Sequence, residues 1–430
     1  MKNTDLTNGR SADLSDAELV AGAGRVLAHP KVAPADSFVL HAPLELMARA
    51  ALLPKARPDG REAARLRIVE LAVAYESAGD ELDEPQPLAS SEVSGEVLAG
   101  RLAAALAAGD LDDVDRIATA LAVTVAPARL ASWLAASVVT SLGAAAHGSI
   151  LLDLLARDPA GTVDGRVIRG GLREIGRHPD WQLSWFDDPE LAAPDAAGLG
   201  ATSSDGGAEV WADALVDVPL LGVPGSTFIY PLMHQAEASG AAVACLAPAL
   251  ARALTEGAGR PDVRAARREL AAVAAWSMLQ EGPEHAPYGW SHCLTMPQSV
   301  LALAGSVEPP VALAVAATHV LGFRAALATG PLDPAHTPVG PALDDLGEAL
   351  DEGREAAAAT VWHASPAAVD AIVATLATNA AGHEDAHLVK YTLACFDAAA
   401  ADPGRARLFL AAAASLAAWW RASDAARPAA

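Results

Sequence analysis

Three side chains that could bind a metal ion stand at helical spacing near the C-terminal end of the chain. The segment 382–397 reads GHEDAHLVKYTLACFD, with His383, His387 and Lys390 at positions i, i+4 and i+7. Residues at this spacing lie on one face of an α-helix, so the pattern predicts that all three project from a single helix. Burying two imidazoles and an ammonium there is costly unless a ligand, a metal ion or a water-filled cavity lies beside them. The alternative is a face that looks into water.

The same letters match H-E-x-x-H, the zinc-peptidase pattern in which two histidines bind zinc and the glutamate acts as general base. Here His383, Glu384 and His387 would take those roles. A third protein ligand is needed, yet no Glu or His follows His387, and Asp397 lies within the same helix or at its end. A zinc-dependent hydrolase is therefore kept as an alternative.

Histidines also recur on other apolar segments with helical patterns. One buried neutral histidine is usually an ordinary core residue, but several of them in a composition poor in polar side chains would lack hydrogen-bond partners. A shared metal ion would satisfy several imidazoles at once. His234 and His319 are interpreted as reserve ligands or pocket residues. The segments are 39–51, 138–155, 227–238, 290–304, 311–326 and 370–400.

The elements that must position these side chains are helices. Alanine and leucine dominate the composition, aromatic residues make up only 4%, and the β-branched and aromatic runs that strands require are scarce. We therefore expect an all-α fold, a large multi-helix bundle whose histidine-bearing helices converge on a central site. The predicted organisation is a disordered tail at 1–16, a single helical domain at 17–421 with a candidate internal break at 187–207, and a tail at 422–430.

The composition also argues against several classes of protein. A formal net charge of −23 disfavours a nucleic-acid or anionic-membrane partner, because both would repel the chain. No stretch is expected to reach the ~18 strongly apolar residues of a membrane span, and the polar N-terminus lacks a signal-peptide core. Three widely spaced cysteines favour reducing surroundings, so we expect a cytoplasmic protein of open oligomeric state. They are Cys245, Cys293 and Cys395.

Four patches in chain order carry a resemblance to a known family. They read HAPL at 41–44, GAAAHGSI at 143–150, WSHCLT at 290–295 and HEDAHLVK at 383–390. With these patches the chain resembles, over most of its length, the questin oxidase-like family, whose fungal members oxidise and cleave anthraquinone-type polyketides. The chain is shorter and richer in alanine than those members, so their anthraquinone specificity is not carried over.

The resemblance implies a non-haem iron ion held by four histidines and by a lysine that carbon dioxide has carbamylated. A carbamate oxygen can bind iron, whereas a lysine ammonium has no lone pair. Imidazole and apolar neighbours would depress the pKa of Lys390 and favour the amine that carbon dioxide attacks. Spacing leaves open which of His383 and His387 is the ligand; we assign ligation to His387 and a catalytic role to His383 and Lys390. The implied ligand set is His41, His147, His292, His387 and Lys390.

The activity that the resemblance implies is that of a metal-dependent monooxygenase or dioxygenase. It would act with dioxygen on an aromatic polyketide or a related phenol or ketone, by Baeyer–Villiger-type insertion or ring cleavage. Tyr288, Trp290 and Trp276 could stack on a flat substrate, although aromatic residues at helical spacing are more often core. No Gly-rich dinucleotide fingerprint follows a strand, so a reductant such as NADPH would come from solution. A non-catalytic helical binding protein is the remaining alternative.

Overall fold

The computed structural model describes residues 13–88, 94–158, 161–187, 209–225, 228–256 and 262–427. Within these ranges no strand is present, and the only β-type pairings are two isolated bridges. The prediction of an all-α multi-helix fold is confirmed. The helices are α1 (Asp16–Leu27), α2 (Ser37–Leu52), α3 (Pro58–Glu76), α4 (Gly95–Ala108), α5 (Leu111–Thr124), α6 (Pro127–Val138), α7 (Gly148–Ala156), α8 (Ile168–Gly176), α9 (Val210–Val216), α10 (Ile229–Ala238), α11 (Ala241–Glu256), α12 (Val263–Gln280), α13 (Ser291–Ala302), α14 (Pro309–Leu327), α15 (Leu346–Glu352), α16 (Arg354–His363), α17 (Val369–Gly382), α18 (Ala386–Ala401) and α19 (Ala406–Ala426).

Local sequence explains where many of these helices begin. Alanine is the strongest helix former, and short polar side chains satisfy the free N–H groups at the first turn. Ser15 and Glu18 form a capping box at α1, Asp36 accepts from Val39 N at α2, and Asp385 caps α18. Proline occupies the first turn of α3, α6 and α14, where its missing N–H has no intrahelical acceptor.

The helices pack so that four of them close a ring. Helix α2 packs against α7 and α18, and α13 packs against the same two helices. Helix α19 covers the outer side of α18. The buried apolar residues form one connected cluster that runs from α1 to α19.

Helix α14 contradicts the expectation that no apolar stretch has membrane-spanning length. With 19 residues, this helix is long and apolar enough to cross a bilayer. Helices α10 and α11 together also have the length and apolarity of a membrane span, but a 76° bend separates them. However, 89% of the apolar stretch in α14 is buried inside the fold, where the helix packs against α10, α11, α12 and α13. A helix that is apolar on all sides is typical of the centre of a large helical protein, and the fold is consistent with a soluble protein.

Two segments predicted as continuous helices are broken. The segment 370–400 divides into α17 and α18. In the segment 138–155, α6 ends at Val138, a short 3-10 turn, Gly143–Ala146, follows, and only the part from Gly148 onward is α-helix, in α7. Helix α19 runs through Ala426 and so extends into the predicted C-terminal tail. Residues 1–12 of the predicted N-terminal tail and nearly all of the candidate break at 187–207 lie outside the described residues.

Candidate metal centre

His41 lies on the second turn of α2 and is oriented by its own helix. Its Nδ1 faces the carbonyl oxygen of Ser37, one turn earlier, so that Nδ1 carries the proton and donates it. The neutral tautomer then leaves the lone pair on Nε2, the atom that points away from the helix. That Nε2 is buried and has no hydrogen-bond partner among the described residues.

His147 is presented by a strained turn of backbone. The alanines at 144, 145 and 146 have φ values of 51°, 49° and 57°. These values lie in the left-handed region of backbone conformation, which residues other than glycine rarely adopt. This turn aims two carbonyl oxygens at the His147 ring, and Nδ1 lies 2.7 Å from Ala145 O and 3.2 Å from Ala144 O. Gly143 permits the turn, because a Cβ there would lie 2.9 Å from Ile175 Cα on α8.

His292 follows a single turn of π-helix, Ala286–Trp290, at the start of α13. Its Nδ1 donates to the carbonyl oxygen of Tyr288 in that turn. Single π-helical turns in proteins are frequently found at functional sites. The turn therefore fixes the His292 ring and also places the Tyr288 side chain beside the cluster.

His387 lies on the first turn of α18, next to the residue that caps the helix. Asp385 Oδ1 accepts from the backbone N of His387 at 2.7 Å and lies 3.1 Å from His387 Nδ1. A carboxylate behind an imidazole fixes its tautomer and makes Nε2 a stronger donor toward a metal. Lys390 stands one helical turn further on and is buried.

The four imidazoles form a closed quadrilateral inside the ring of helices. Neighbouring ring centroids lie 4.5 Å apart for His41–His147 and His41–His387, and 4.9 Å apart for His147–His292 and His292–His387. The diagonal from His41 to His292 is 6.2 Å. The structure therefore brings the rings of all four histidines of the implied ligand set together. The candidate ligand atoms of His41, His147 and His292 lie within 4.8 Å of one another, and the His387 ring borders that group. His147 immediately precedes α7, and the other three histidines lie on α2, α13 and α18.

The contact between His147 and His292 argues for a cation. Their Nε2 atoms are 3.0 Å apart, while both Nδ1 atoms face carbonyl oxygens and therefore carry the protons. Two Nε2 lone pairs then face each other, an unfavourable arrangement unless a positive charge lies between them. Two nitrogen ligands at right angles on a metal ion, each at about 2.1 Å, would lie about 3.0 Å apart. The donor set thus fits a metal ion.

Electrostatics keep the imidazoles of the cluster in their neutral form, the form that can bind a metal ion. Burial, with a smaller effect from Lys390 and the other rings, lowers the pKa of His41 well below 6.5, and burial likewise lowers the pKa values of His147, His292 and His387. Burial also lowers the pKa of Lys390 to about 7, against the opposing effect of Asp385 and Glu45. The Lys390 Nζ has no hydrogen-bond partner among the described residues.

A buried ion pair fixes α2 relative to the start of α18. Arg49, two turns beyond His41, pairs with Glu45 and donates to the carbonyl oxygens of Ala381 and His383, the latter at 2.7 Å. These carbonyls lie at the end of α17 and in the turn before α18. Arg49 therefore holds the turn from which His387 enters the site. This pair is missing from the predicted site residues; its signal in the sequence is the i, i+4, i+8 spacing of His41, Glu45 and Arg49.

His383 does not lie where the spacing predicted. It follows the last residue of α17 in the turn before α18, so the prediction of one continuous helical face with His387 and Lys390 is wrong. Its Nδ1 accepts from Asp385 N at 2.9 Å and its Nε2 lies 3.0 Å from Asp424 Oδ2. Both ring nitrogens are thus engaged in holding the turn.

The position of His383 also removes the geometry that a zinc-peptidase site requires. Its two histidines must share one helix face, and His383 and His387 do not. Glu384 pairs with Arg427 at the surface, and Asp397 pairs with Arg157.

The remaining site candidates divide into surface and core. His234 is exposed on α10, where its ring stacks on Tyr230. His319 is buried on α14, and burial lowers its pKa to about 4; no contact joins its ring to the quadrilateral within the described residues. Trp290 and Trp276 are buried core residues.

Tyr288 marks the outer side of the site. Its ring centroid lies 4.8 Å from that of His387, yet the side chain is 54% exposed. Two small cavities adjoin the site: the one lined by His147 and the one lined by Lys390 each measure about 20 Å³. A cavity of this size holds a water molecule but not an aromatic ring system.

Comparisons with known proteins identify no relative. No protein-family model matches the chain, and neither a curated protein nor a solved structure matches it. The class is therefore defined by fold and site alone: an all-α protein with four imidazoles and a lysine gathered inside a ring of helices. The resemblance to the questin oxidase-like family stays a prediction.

Proposed function

We propose that this protein is an oxidoreductase with a mononuclear non-haem iron centre. The ligands would be the Nε2 atoms of His41, His147, His292 and His387, completed by Lys390. The observation that carries the proposal is the convergence of these four rings, each held by a protein acceptor at Nδ1. Acceptors behind the imidazole ligands are the usual companions of metal-bound histidine.

Lys390 supplies the negative charge that four neutral imidazoles lack. A buried divalent or trivalent ion beside neutral ligands alone would keep its full charge in an apolar interior, which is unfavourable. Reaction of the Lys390 amine with carbon dioxide would give a carbamate whose anionic oxygen suits iron. The buried Nζ without a partner and its pKa of about 7 support this assignment.

Iron bound in this site would supply activation of dioxygen for oxygenation of an electron-rich phenol or ketone. The protein's own contributions are the fixed imidazoles, the exclusion of bulk water and the opening beside Tyr288. Because the adjoining cavities measure about 20 Å³, an aromatic substrate would dock against the outer side of the site, with Tyr288 as the stacking surface. Both nitrogens of His383 are engaged, so positioning of the α18 turn suits it better than proton transfer.

The decisive experiment is metal analysis of the purified protein, prepared with ferrous iron and bicarbonate under anaerobic conditions. We expect about one iron per chain in the wild type and in His234→Ala, the matched control on an exposed histidine. His292→Ala should lose most of the iron, because it removes one of the two rings in closest contact. Lys390→Ala should hold less iron than wild type.

Two results would overturn this proposal. Absence of stoichiometric metal from the wild type would leave a non-catalytic helical protein as the better account. Tightly held zinc that Lys390→Ala leaves unchanged would indicate a zinc centre without carbamate. A functional check is dioxygen consumption with simple phenols and aromatic ketones, which should require iron and should fall in His292→Ala.

A further inference from the structure

A small crevice lined by both polar and apolar side chains reaches Lys390 from outside the imidazole quadrilateral. It measures about 20 Å³, and its lining includes Lys390, Thr295, Gln298 and Asp153, with Arg157 and Asp397 at its outer part; among the described residues none of the four histidines lines it. Lys390 is 4% exposed, and its Nζ has no hydrogen-bond partner in the part of the chain that the structure describes. An unpartnered buried amine thus adjoins a void large enough for one small molecule.

A second cavity lies next to this crevice and is larger and mostly apolar. It measures about 240 Å³ and is lined by Val20, Met47 and Ala51, among others, from α1 and α2. Leu154 and Arg157 line both cavities. Arg157 therefore stands between an outer apolar vestibule and the crevice that contains Lys390.

Arg157 is held in this position by two carboxylates. Its Nε lies 3.0 Å from Asp153 Oδ1 and its Nη2 2.6 Å from Asp153 Oδ2, while Nη1 pairs with Asp397. Asp153 is buried and also accepts from Ser299 Oγ at 3.3 Å. The side chains of Arg157 and Asp397 are each 30% exposed, so this outer ion pair can open toward water without unpairing Asp153.

We propose that the crevice is the route by which carbon dioxide reaches Lys390, and that the Arg157–Asp397 ion pair gates it. This inference rests on the proposed function, because it concerns formation of the lysine carbamate. A neutral, apolar gas partitions into the vestibule. Bicarbonate is disfavoured by Asp153, by Asp397 and by the net charge of −23.

The chemistry within the crevice balances without an added oxidant or reductant. The lone pair of the Lys390 amine forms a C–N bond to the carbon of carbon dioxide, and one C=O electron pair moves onto oxygen. The nitrogen then loses one proton, which is released to solvent at the outer part of the crevice, where the side chains of Arg157 and Asp397 are each 30% exposed. The product is an anionic carbamate on Lys390 and one released proton.

The test follows exchange of labelled carbon dioxide into the protein. Iron-loaded protein is transferred to ¹³C-bicarbonate buffer, the carbamate is trapped at intervals with a trialkyloxonium reagent, and the Lys390 peptide is analysed by mass spectrometry. Asp397→Asn should accelerate exchange by about two- to fivefold, the factor expected for loss of a partly exposed ion pair. Asp164→Asn is the matched control, since Asp164 pairs with Arg166 outside the crevice at similar exposure.

A second variant tests the route by narrowing it. Ala394 lines the crevice, and Ala394→Val should slow exchange; circular dichroism verifies that each variant is folded. Equal exchange rates in wild type, Asp397→Asn and Ala394→Val, with carbamate trapped in all three, would overturn the route and leave the proposed metal centre intact. Failure to trap any carbamate in iron-loaded wild type would overturn both the route and the role given to Lys390.

Discussion

Each of the four imidazoles is oriented by a protein acceptor at Nδ1 and therefore does not depend on a metal ion for its position. Two acceptors belong to the histidine's own helix or π-turn, one is the carbonyl of a left-handed alanine, and one is a carboxylate. The consequence is an arrangement of lone pairs that is unfavourable when nothing binds it. The buried amine of Lys390 adds to this unfavourable energy, because its charged form is poorly solvated there.

The Lys390 amine should destabilise the metal-free protein at neutral pH. Burial lowers its pKa in the folded protein to about 7, from the ordinary lysine value of 10.5. Between these two values the unfolded chain binds one more proton than the folded chain, and below them the folded protein carries the full cost of a buried ammonium. Lys390→Met should therefore raise the free energy of unfolding at pH 7 by roughly 2–4 kcal/mol in bicarbonate-free, metal-free protein. Urea denaturation at a series of pH values measures this.

The pH dependence of the stabilisation by Lys390→Met distinguishes an electrostatic cause from better packing. The difference between Lys390→Met and wild type should shrink as the pH rises from 7 through 10.5, because lysine is neutral in both the folded and the unfolded chain only above that pH. Lys55→Met, on an exposed lysine, should change stability little at any pH in this range. A pH-independent gain in Lys390→Met would instead indicate better packing and would contradict the electrostatic account.

At the scale of elements, the turn before α7 stores backbone strain. Each left-handed alanine is unfavourable by about 1–2 kcal/mol relative to right-handed backbone, and the turn contains three in succession. The strain is sustained because Gly143 fits against α8 and because the turn supplies the carbonyls that orient His147. Strain of this kind in proteins is concentrated at functional sites.

Replacement of one strained alanine by glycine should stabilise the protein. Ala145→Gly should raise the free energy of unfolding by about 0.5–1 kcal/mol, since relief of strain exceeds the added entropy of the unfolded chain. Ala136→Gly, at an exposed position inside α6, should lower it by about 1 kcal/mol. Thermal denaturation of both variants gives the comparison, and destabilisation by Ala145→Gly would contradict a strained turn.

The class of fold is predictable from the sequence, whereas some of the helix boundaries are not. The all-α class followed from composition. The family resemblance alone implied the ligand set, and the structure places the rings of His41, His147, His292 and His387 in one cluster. The break between α17 and α18 was missed because apolar periodicity continues through it. The local signals that compete with that periodicity are Gly382 and Asp385, a residue type that favours helix N-caps.

The left-handed alanines could not be predicted from the sequence. Alanine is the strongest helix former, so GAAAH reads as helix, and only packing of Gly143 against α8 and hydrogen bonds to the His147 ring force the other conformation. Local propensity is overridden here by contacts between residues far apart in the chain.

At the scale of the whole molecule, the site joins residues that span most of the chain. The quadrilateral connects α2, α7, α13 and α18, from His41 to His387. A metal ion that binds only the folded protein therefore stabilises the packing of four distant helices at once. By mass action, iron at 1,000 times its dissociation constant adds about 4 kcal/mol to the free energy of unfolding.

Removal of the proposed iron should lower the melting temperature of the entire fold. For a chain of 430 residues, about 4 kcal/mol corresponds to a shift of about 4–5 °C, which calorimetry with and without a chelator can measure. His234→Ala should show the same shift. His292→Ala should melt at one temperature in both conditions, because it has no complete site to empty. A chelator-dependent shift that persists in His292→Ala would place the stabilising metal elsewhere in the molecule.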